Sequence, residues 1–472
     1  MRKVHKYPSY KASDVEWLGT IPEHWKTVKA KRIFREVSIK NHPDEPLLAA
    51  TQTKGVIPKS LYENTTVTAS KNFETLKLVK KGDFVISLRS FQGGIEYAHY
   101  QGIISPAYTI LEPQEEVFHN YYRYLLKSKR YISGLTLLVT GIREGQNIDT
   151  SKFKDSFLPL PTKEEQTAIA RFLDYKLAKI NRFIQKKKQL IKLLNEQKAA
   201  IINQAVTKGL DPNTKMKDSG IEWLGEIPEH WEKHKIKYLI SKPIAGAWGT
   251  EPQNDDNDIT CVRVADFHEY DIKTDNLTIR NIEAKTEQIL KPGDLLLEKS
   301  GGGEKTPVGR VVLFNQSFKA VTSNFISKFS PKIDLVSSEY LLYIFKLINS
   351  VRWNFRSLKQ TTGIQNIDTY QYMDNWVFIP KIEEQTTIVN HIKNEFKVLD
   401  ETISKIEKEI ALVEEYKTAL IAEAVTGKID VRGYEIPEIT EEETYEDPDS
   451  YREEEEISMA AEDAEEYQTL EE

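Results

Sequence analysis

The stretch Pro161-Thr162-Lys163-Glu164-Glu165-Gln166 opens a long charged segment that runs to about Thr207. A second segment opens with Pro380-Lys381-Ile382-Glu383-Glu384-Gln385 and runs to about Thr426. Apolar residues recur in both at spacings of three and four over about five heptads, which is typical of a coiled-coil seam. Because neither helix buries its stripe alone, we predict that the two pack against each other. An offset of 219 relates the stripes, which are Leu173, Leu177, Ile180, Ile184, Ile191, Leu194, Ile201 and Ala205, and then Ile392, Phe396, Leu399, Ile403, Ile410, Val413, Leu420 and Ala424.

Lysines interrupt both seams. Lys187 and Lys198 lie in the first seam, and the corresponding positions of the second hold Ile406 and Lys417. A lysine in a seam fixes the register at a cost in stability. Alternatively, its stem lies on the apolar surface while its amine stays in water. We favour the second interpretation.

A ten-residue turn also occurs twice. The stretch Glu16-Trp17-Leu18-Gly19-Thr20-Ile21-Pro22-Glu23-His24-Trp25 returns at residues 222–231 with nine of ten positions identical. Its apolar residues predict a compact turn that packs on neighbouring structure. We interpret the repeat as structural rather than catalytic. The histidines show no metal-binding spacing, and we assign no metal site.

A block lies between each turn and each long helix, at residues 28–158 and 236–378. The two blocks differ in sequence but share turn and loop motifs at corresponding places. Lys81-Gly82-Asp83 and Pro292-Gly293-Asp294 each predict a turn and then a buried strand. Each strand runs into a glycine-rich loop. Further strands are expected at about 108–111 and 325–329, and helices at about 120–133 and 338–350. Each block ends near a Gln-Asn pair, Gln146-Asn147 and Gln365-Asn366.

Length, cysteine content and charge narrow the class of protein. A chain of 472 residues can form two or more domains with their own cores. No apolar run approaches ~18 residues, so we expect neither a signal peptide nor a membrane span. The single cysteine, Cys261, fits a cytoplasmic location. Residues 433–472 carry a net charge of −17, which leaves +10 for residues 1–432 of a chain whose total is −7. A basic body is typical of a protein that meets phosphate.

The acidic tail, residues 431–472, is poor in apolar residues and dense in like charge. This composition predicts disorder. We interpret the tail as a solubilising extension, and a DNA-mimicking or partner-binding role is the alternative.

The sequence lacks the motifs of the enzymes that act on DNA. It has no Asn-Pro-Pro-Tyr or Asp-Pro-Pro-Tyr stretch to hold a base for methyl transfer. The segment 301–306 fails the spacing of a phosphate loop because Glu304 separates glycine from lysine. Asp294 and Glu298 likewise lack the spacing of a nuclease carboxylate cluster. If a catalytic domain had been duplicated, both copies would be expected to retain their catalytic residues. In this chain the repeated turns and helix starts are retained, whereas the blocks between them differ in sequence. We therefore predict a reader of duplex DNA with no catalytic residues.

Such a reader needs cations for phosphate, and arginine, lysine, asparagine or glutamine for base edges. The glycine-rich loops let the backbone approach a groove. Because the Gln-Asn pairs recur in modules that differ elsewhere, they favour a structural role or a contact with the DNA backbone. The predicted DNA-contacting residues are Lys54, Arg89, Ser90, Gln92, Arg143, Gln146, Asn147, Arg263, Lys299, Ser300, Lys305, Gln365 and Asn366.

Over residues 10–430 the chain resembles the DNA specificity subunit of Type I restriction–modification systems. The EWLG-x-IPEHW turns, the TGI…QNI segments and the proline-led EEQ helices carry this resemblance in both halves. It implies an α+β chain with two α/β target-recognition domains, residues 1–160 and 211–379. Two long helices, residues 161–210 and 380–430, would separate them as an antiparallel coiled coil with a pseudo-twofold repeat.

The resemblance also implies that each domain reads one half of a split double-stranded DNA site. Two methyltransferase subunits would carry S-adenosylmethionine and modify adenine, and restriction subunits would supply ATP- and Mg-dependent cleavage. This chain is expected to hold no cofactor. The main alternative is a coiled-coil protein-interaction scaffold whose modules recognise protein surfaces. A methyltransferase or nuclease with unrecognised motifs is a weaker one.

Overall fold

The structure, a computed structural model, describes residues 5–61, 72–87, 90–114, 117–135, 139–140, 147–302, 308–361 and 364–436. The chain divides into two compact units. One comprises Met1–Gln189 with Ile406–Glu472, and the other is Leu190–Lys405. Each unit thus contains one of the two blocks, which we call modules, and half of each long helix. The sequence had instead predicted each long helix as a segment separate from the modules.

The first unit consists of short antiparallel strands and helices. Its strands are β1 (Tyr10–Ala12), β2 (Thr20–Pro22), β3 (Lys26–Lys29), β4 (Phe34–Val37), β5 (Leu48–Thr51), β6 (Gly55–Pro58), β7 (Lys77–Val79), β8 (Phe84–Ile86), β9 (Glu96–Tyr97), β10 (Gly102–Ile104), β11 (Thr109–Pro113), β12 (Val139–Thr140), β13 (Asn147–Ile148) and β14 (Phe157–Leu160). Its helices are α1 (Ser90–Gly93), α2 (His119–Leu125), α3 (Lys129–Leu135), α4 (Thr150–Asp155) and the first part of α5 (Lys163–Lys208).

A four-stranded sheet in the order β4-β11-β8-β9 forms the centre of this unit. Its strands are antiparallel, and Ile110 of β11 lies opposite Val85 of β8. An aromatic cluster fills the core beneath it, in which the rings of Phe34 and Phe84 lie 5.2 Å apart. The buried hydroxyl of Tyr122 donates to the carbonyl of Pro159 at 2.8 Å, so its one polar group is satisfied.

The second unit has the same kinds of element. Its strands are β15 (Met216–Asp218), β16 (Glu226–Pro228), β17 (Glu232–Lys235), β18 (Ile244–Ala245), β19 (Asp258–Val262), β20 (Phe267–His268), β21 (Asp271–Ile272), β22 (Thr278–Asn281), β23 (Asp294–Glu298), β24 (Ser300–Gly301), β25 (Val311–Phe314), β26 (Ala320–Thr322), β27 (Ile326–Phe329), β28 (Leu358–Thr361), β29 (Ile364–Ile367) and β30 (Trp376–Ile379). Its helices are α6 (Ile236–Leu239), α7 (Ser338–Ser350), α8 (Thr369–Met373) and the first part of α9 (Ile382–Val425).

The sheet orders of the two units correspond. The order β18-β27-β23-β25 repeats β4-β11-β8-β9, with Lys328 of β27 opposite Leu296 of β23. The second unit also has the sheet β22-β19-β26, in which β19 and β26 run parallel. Where the first unit pairs β12 with β13, the second has the three-stranded sheet β24-β29-β28. The modules are therefore two elaborations of one plan.

The repeated ten-residue turn packs as predicted. Trp25 and Trp231 are 0% and 1% exposed, respectively. Gly19 and Gly225 have φ angles of +67° and +63°, a left-handed conformation that favours glycine, which accounts for this residue in both copies. The strand that follows each turn pairs antiparallel with the strand that leads into a long helix, β3 with β14 and β17 with β30.

The two long helices, α5 and α9, lie inside the predicted ranges 161–210 and 380–430. In the first unit Asn181 accepts from Lys417, and Lys187 pairs with Glu409. In the second unit Lys198 pairs with Asp400. The two contacts of the first unit show that the helices run in opposite directions there. The predicted seam residues are all buried or half-buried: Leu173, Leu177, Ile180, Ile184, Ile191, Leu194, Ile392, Phe396, Leu399, Ile403, Ile410 and Val413.

The helical segment predicted at about 120–133 consists of two helices, α2 and α3. Ser128 interrupts the segment, since its hydroxyl donates to the carbonyl of Leu125 and accepts from the backbone N–H of Tyr131. A side chain that bonds to backbone groups in this way favours a helix start over a helix interior. Among the described residues, no helix combines the length and hydrophobicity that crossing a membrane requires.

Candidate nucleic-acid interface

The repeated turn and the EEQ start of each helix form one joint. Nε2 of His24 lies 2.9 Å from a carboxylate oxygen of Glu165, and Nε1 of Trp25 donates to the same carboxylate at 3.3 Å. In the second unit Glu384 accepts from Trp231 at 3.0 Å, and Nε2 of His230 lies 2.8 Å from it. The second glutamate of EEQ thus holds both rings of the turn. These contacts support the structural interpretation of the repeat.

The glutamine of EEQ ties each long helix to its module. The side-chain amide of Gln166 donates to the carbonyl of Pro161 at 3.0 Å and accepts from the backbone N–H of Phe118 at 2.9 Å. Gln385 repeats this arrangement with Pro380 and Ser337, both at 2.9 Å. Phe118 and Ser337 precede α2 and α7, so one residue orients the helix behind each central sheet.

The basic stretches after the turns are paired with acids. Lys29 and Lys31 both contact Asp155, at 3.0 and 2.9 Å. In the second unit Lys235 and Lys237 both lie 2.6 Å from Asp374. Hydrogen bonds from these lysines hold the pKa of each aspartate below its usual value. Because the triads recur in both units, we attribute them to the common scaffold rather than to the reading surface.

The second unit brings together three of the predicted DNA-contacting residues. Ser300 lies directly opposite Asn366, and Gly301 lies opposite Gln365. The hydroxyl of Ser300 is 2.6 Å from Oδ1 of Asn366. The side-chain oxygen of Gln365 accepts from the backbone N–H of Val308 at 3.4 Å. The two residues of the Gln-Asn pair therefore have different partners. Gln365 bonds to the backbone of Val308, and Asn366 bonds to Ser300 at the start of the glycine-rich loop.

Other predicted residues lie apart from this group. Lys299 is half-buried between β23 and β24, and its carbonyl accepts from Ile367 N–H at 2.8 Å. The guanidinium of Arg263 pairs with Asp266 at 3.1 Å. Lys305 lies outside the described residues.

In the first unit the candidates are placed less completely. Ser90 is buried, and its hydroxyl accepts from the backbone N–H of Ser87 at 2.8 Å, which puts it inside the fold rather than at a DNA-facing surface. Gln92 is exposed in α1, and Lys54 is half-buried in the turn between β5 and β6. The backbone of Asn147 pairs with Thr140. Arg89, Arg143 and Gln146 lie outside the described residues.

Lys198 forms a buried cluster that the sequence did not predict. Its side chain is 4% exposed and contacts Asp400 at 2.8 Å and Glu269 at 3.2 Å. Its ammonium also lies 5.5 Å from the ring centroid of Tyr270 and 4.9 Å from that of Phe396. The expectation that its amine stays in water is therefore wrong, because carboxylates and aromatic faces replace the water. Through Glu269 and Tyr270 this lysine ties the β20–β21 turn to the helices.

Lys359 is a further candidate that the sequence did not identify. It lies opposite Asn366 in β28, and its side chain is 69% exposed. Only the pairing register of β28 with β29 identifies this residue, because no sequence motif relates it to the Gln-Asn pair.

Comparison with known proteins agrees with this architecture. The profile of the Type I restriction modification DNA specificity domain matches residues 22–193 and 228–412. The chain belongs to this family. It is a specificity subunit, and the catalytic activities of such systems lie in other subunits.

Two relatives and one solved chain illustrate the match. The specificity subunit of the MjaVIII type I restriction enzyme of Methanocaldococcus jannaschii is 23% identical over 425 residues, which cover 87% of this chain and 94% of that protein. The EcoKI specificity subunit of Escherichia coli K12 is 21% identical over 326 residues, 68% of each chain. A solved chain of a type I R-M system shares the fold at 14% identity, with a TM-score of 0.57 over 86% of this chain and 98% of its own. The family resemblance and the mixed α/β, two-module organisation expected from the sequence are thus confirmed.

Proposed function

We propose that this specificity subunit reads a bipartite double-stranded DNA target, with one half-site for each module. The observation that carries this proposal is that the family profile matches twice, once in each half. Each matched half has its own central sheet on the same His-Trp-Glu joint. The two modules share this joint but differ in the sequence of their middle parts. This arrangement is what we expect of a protein that reads two half-sites of different sequence.

We further propose that partner subunits carry the chemistry. Two methyltransferase subunits would bring S-adenosylmethionine, and restriction subunits would bring ATP and Mg-dependent cleavage, while this chain binds no cofactor. The relatives are named as subunits of type I restriction enzymes, which supports an assembly of this kind. A cytoplasmic location, the complete antiparallel coiled coil and a disordered acidic tail remain predictions.

Long-read methylation sequencing tests the proposal directly. A host expressing this chain with its methyltransferase subunit should show one methylated motif with two short defined halves around a fixed undefined gap. Exchange of residues 28–158 for those of another specificity subunit should change one half only. A competent complex that methylates without such a motif would instead favour the protein-interaction scaffold.

The helices provide a second test, because we propose that their register sets the gap. One heptad inserted after Gln189 in α5 and one after Lys405 in α9 lengthen the helices by about 10 Å. The gap should then grow by about three base pairs. A heptad inserted in the acidic tail serves as the control and should leave the gap unchanged. An identical motif in the helix-insertion variant would contradict the role assigned to the register.

A further inference from the structure

A row of hydrogen-bond donors crosses the three-stranded sheet of the second unit. Ser300 of β24 lies opposite Asn366 of β29, and Asn366 lies opposite Lys359 of β28. Residues directly opposite each other project from the same face of a sheet. A hydroxyl, an amide and an ammonium therefore lie side by side across neighbouring strands.

The face that carries this row is the outer one. Leu358 and Ile367 lie opposite each other one position along, so strand alternation places them on the other face. Both pack against the large core of the second unit, and Ile367 is 6% exposed. By contrast, Ser300 and Asn366 are half-buried and Lys359 is exposed. The row thus borders solvent while its neighbours anchor the sheet.

The pattern of internal hydrogen bonds leaves donors in the row. Asn366 accepts from Ser300 through its side-chain oxygen, so its amide nitrogen carries two hydrogens that this bond does not use. Nζ of Lys359 lies 2.7 Å from Asp368, a bond that engages one of its three hydrogens. The carboxylate of Asp368 also accepts from the backbone N–H groups of Tyr370 and Gln371 as the cap of α8. Its charge is therefore shared among several donors.

We propose that Ser300, Asn366 and Lys359 form a contact site for the phosphodiester backbone of DNA. This inference rests on the proposed function and deepens it, because it assigns the row to positioning on the duplex rather than to base readout. Phosphate oxygens accept from lysine, asparagine and serine alike, and such contacts carry no sequence information directly. A backbone contact also explains why Gln-Asn recurs in two modules with different middle parts.

The two units differ in one member of the row. In the first unit Asn147 pairs with Thr140, which therefore takes the place of Lys359. Threonine adds no charge at this register position. The second module should accordingly contribute more to the salt dependence of DNA binding.

Salt dependence of binding by the purified full chain with its methyltransferase partner tests this site. Lys359→Gln should weaken binding to target and non-target duplex by the same factor, on the order of tenfold, and reduce the slope of log K against log salt by about one. Lys393→Gln is the matched control, since Lys393 is also an exposed lysine paired with a carboxylate, that of Glu339. Its slope should equal that of the wild type.

A pair of isosteric substitutions tests the geometry of the row. Asn366→Asp keeps the oxygen that accepts from Ser300 but adds negative charge on the outer face. Gln365→Glu adds the same charge one residue away, on the other face. Asn366→Asp should weaken binding to both duplexes several-fold more than Gln365→Glu does. The melting temperature of each variant is measured as well, to check that the variant folds.

The outcomes distinguish a failure of the proposed function from a failure of the phosphate contact site. If the wild-type complex shows no preference for its methylated motif, the proposed function fails, whatever the variants do. If the wild type is specific but Lys359→Gln leaves the salt slope unchanged, the phosphate site is wrong. A change in the sequence of the second half-site in Asn366→Asp would also overturn it, because that outcome indicates base readout.

Discussion

Asp83 and Asp294 occupy the same place in the two units but have different partners. Each follows a glycine with positive φ, and each accepts at 2.8 Å from the backbone N–H three residues earlier. Asp294 also pairs with the buried Lys328 at 3.0 Å. In the first unit the register puts Ile110 where Lys328 lies.

This difference changes the electrostatics of an otherwise common joint. Burial raises the pKa of Asp83 to about 6, and the negative charge of Glu112 adds to the shift, while the Lys80 N–H opposes it. The position of Glu112 is taken in the second unit by Ser330, whose hydroxyl donates to Asp294. The same fold therefore holds a buried carboxyl in two ways, with a buried lysine beside Asp294 and with a raised pKa at Asp83.

The largest expected effect comes from removing the cation. Lys328→Met leaves Asp294 buried without its counter-charge, which costs about 3–5 kcal/mol. For a unit of this size the melting temperature should fall on the order of 10 °C in calorimetry. Adding Asp294→Asn to this variant should restore much of the loss, because no charge is then left unpaired. A single variant that melts within a degree of the wild type would contradict the pairing.

The same substitution at the two aspartates should act in opposite directions. At pH 7 Asp294→Asn should destabilise the protein, because Lys328 loses its partner. Asp83→Asn should be neutral or stabilising, because the amide still accepts from Lys80 without a buried charge. The free energy of unfolding from urea titrations at pH 7 measures both, and equal effects of one sign would remove the distinction.

The pH dependence of Asp83 has a defined sign. Its folded-state pKa of about 6 lies above the usual value of 3.8 for an aspartate, so the folded state binds more protons between these values. The stability it contributes is complete below pH 4 and is lost as the pH rises through 6, by at most about 3 kcal/mol. Asp83→Asn should flatten this part of the stability curve. A wild-type-like profile in the variant would assign the effect to another group.

The joints at the helix starts offer a smaller contrast. The side chain of Glu165 is 5% exposed, whereas that of Glu384 is 34% exposed. Loss of a buried acceptor leaves its donors unsatisfied, at about 1–3 kcal/mol, and solvent compensates a half-exposed one. Glu165→Ala should therefore lower the melting temperature more than Glu384→Ala. Equal shifts would show that burial does not distinguish the two joints.

The sequence predicted the helices and strands better than it predicted the contacts between distant side chains. The positions of α5 and α9 followed from apolar periodicity, because that signal is local. The Gly-Asp pairs located two turns and the strands after them. Lys328, however, reaches Asp294 from 34 residues away on another strand, and no spacing rule reveals such a contact.

The candidate interface shows the same limit. Sequence repetition identified the Gln-Asn pairs, but only the strand register separated Gln365 from Asn366 by face. The same register added Lys359 to the site. Burial of Ser90 likewise depends on the fold around it rather than on its neighbours in sequence.

The smallest expected contrast lies in the helix seam, where Lys198 and Lys417 occupy corresponding positions. Lys198 contacts the carboxylates of Asp400 and Glu269, whereas Lys417 donates to the neutral amide of Asn181 at 2.8 Å. Because both carboxylates are more than half exposed, water can solvate them when the lysine is removed, which limits the cost to about 1 kcal/mol. Lys198→Met should therefore destabilise modestly. Salt should diminish this effect, since the variant removes an ion pair. An effect of Lys198→Met that does not change with salt concentration would show that the two carboxylates contribute nothing measurable at this seam position.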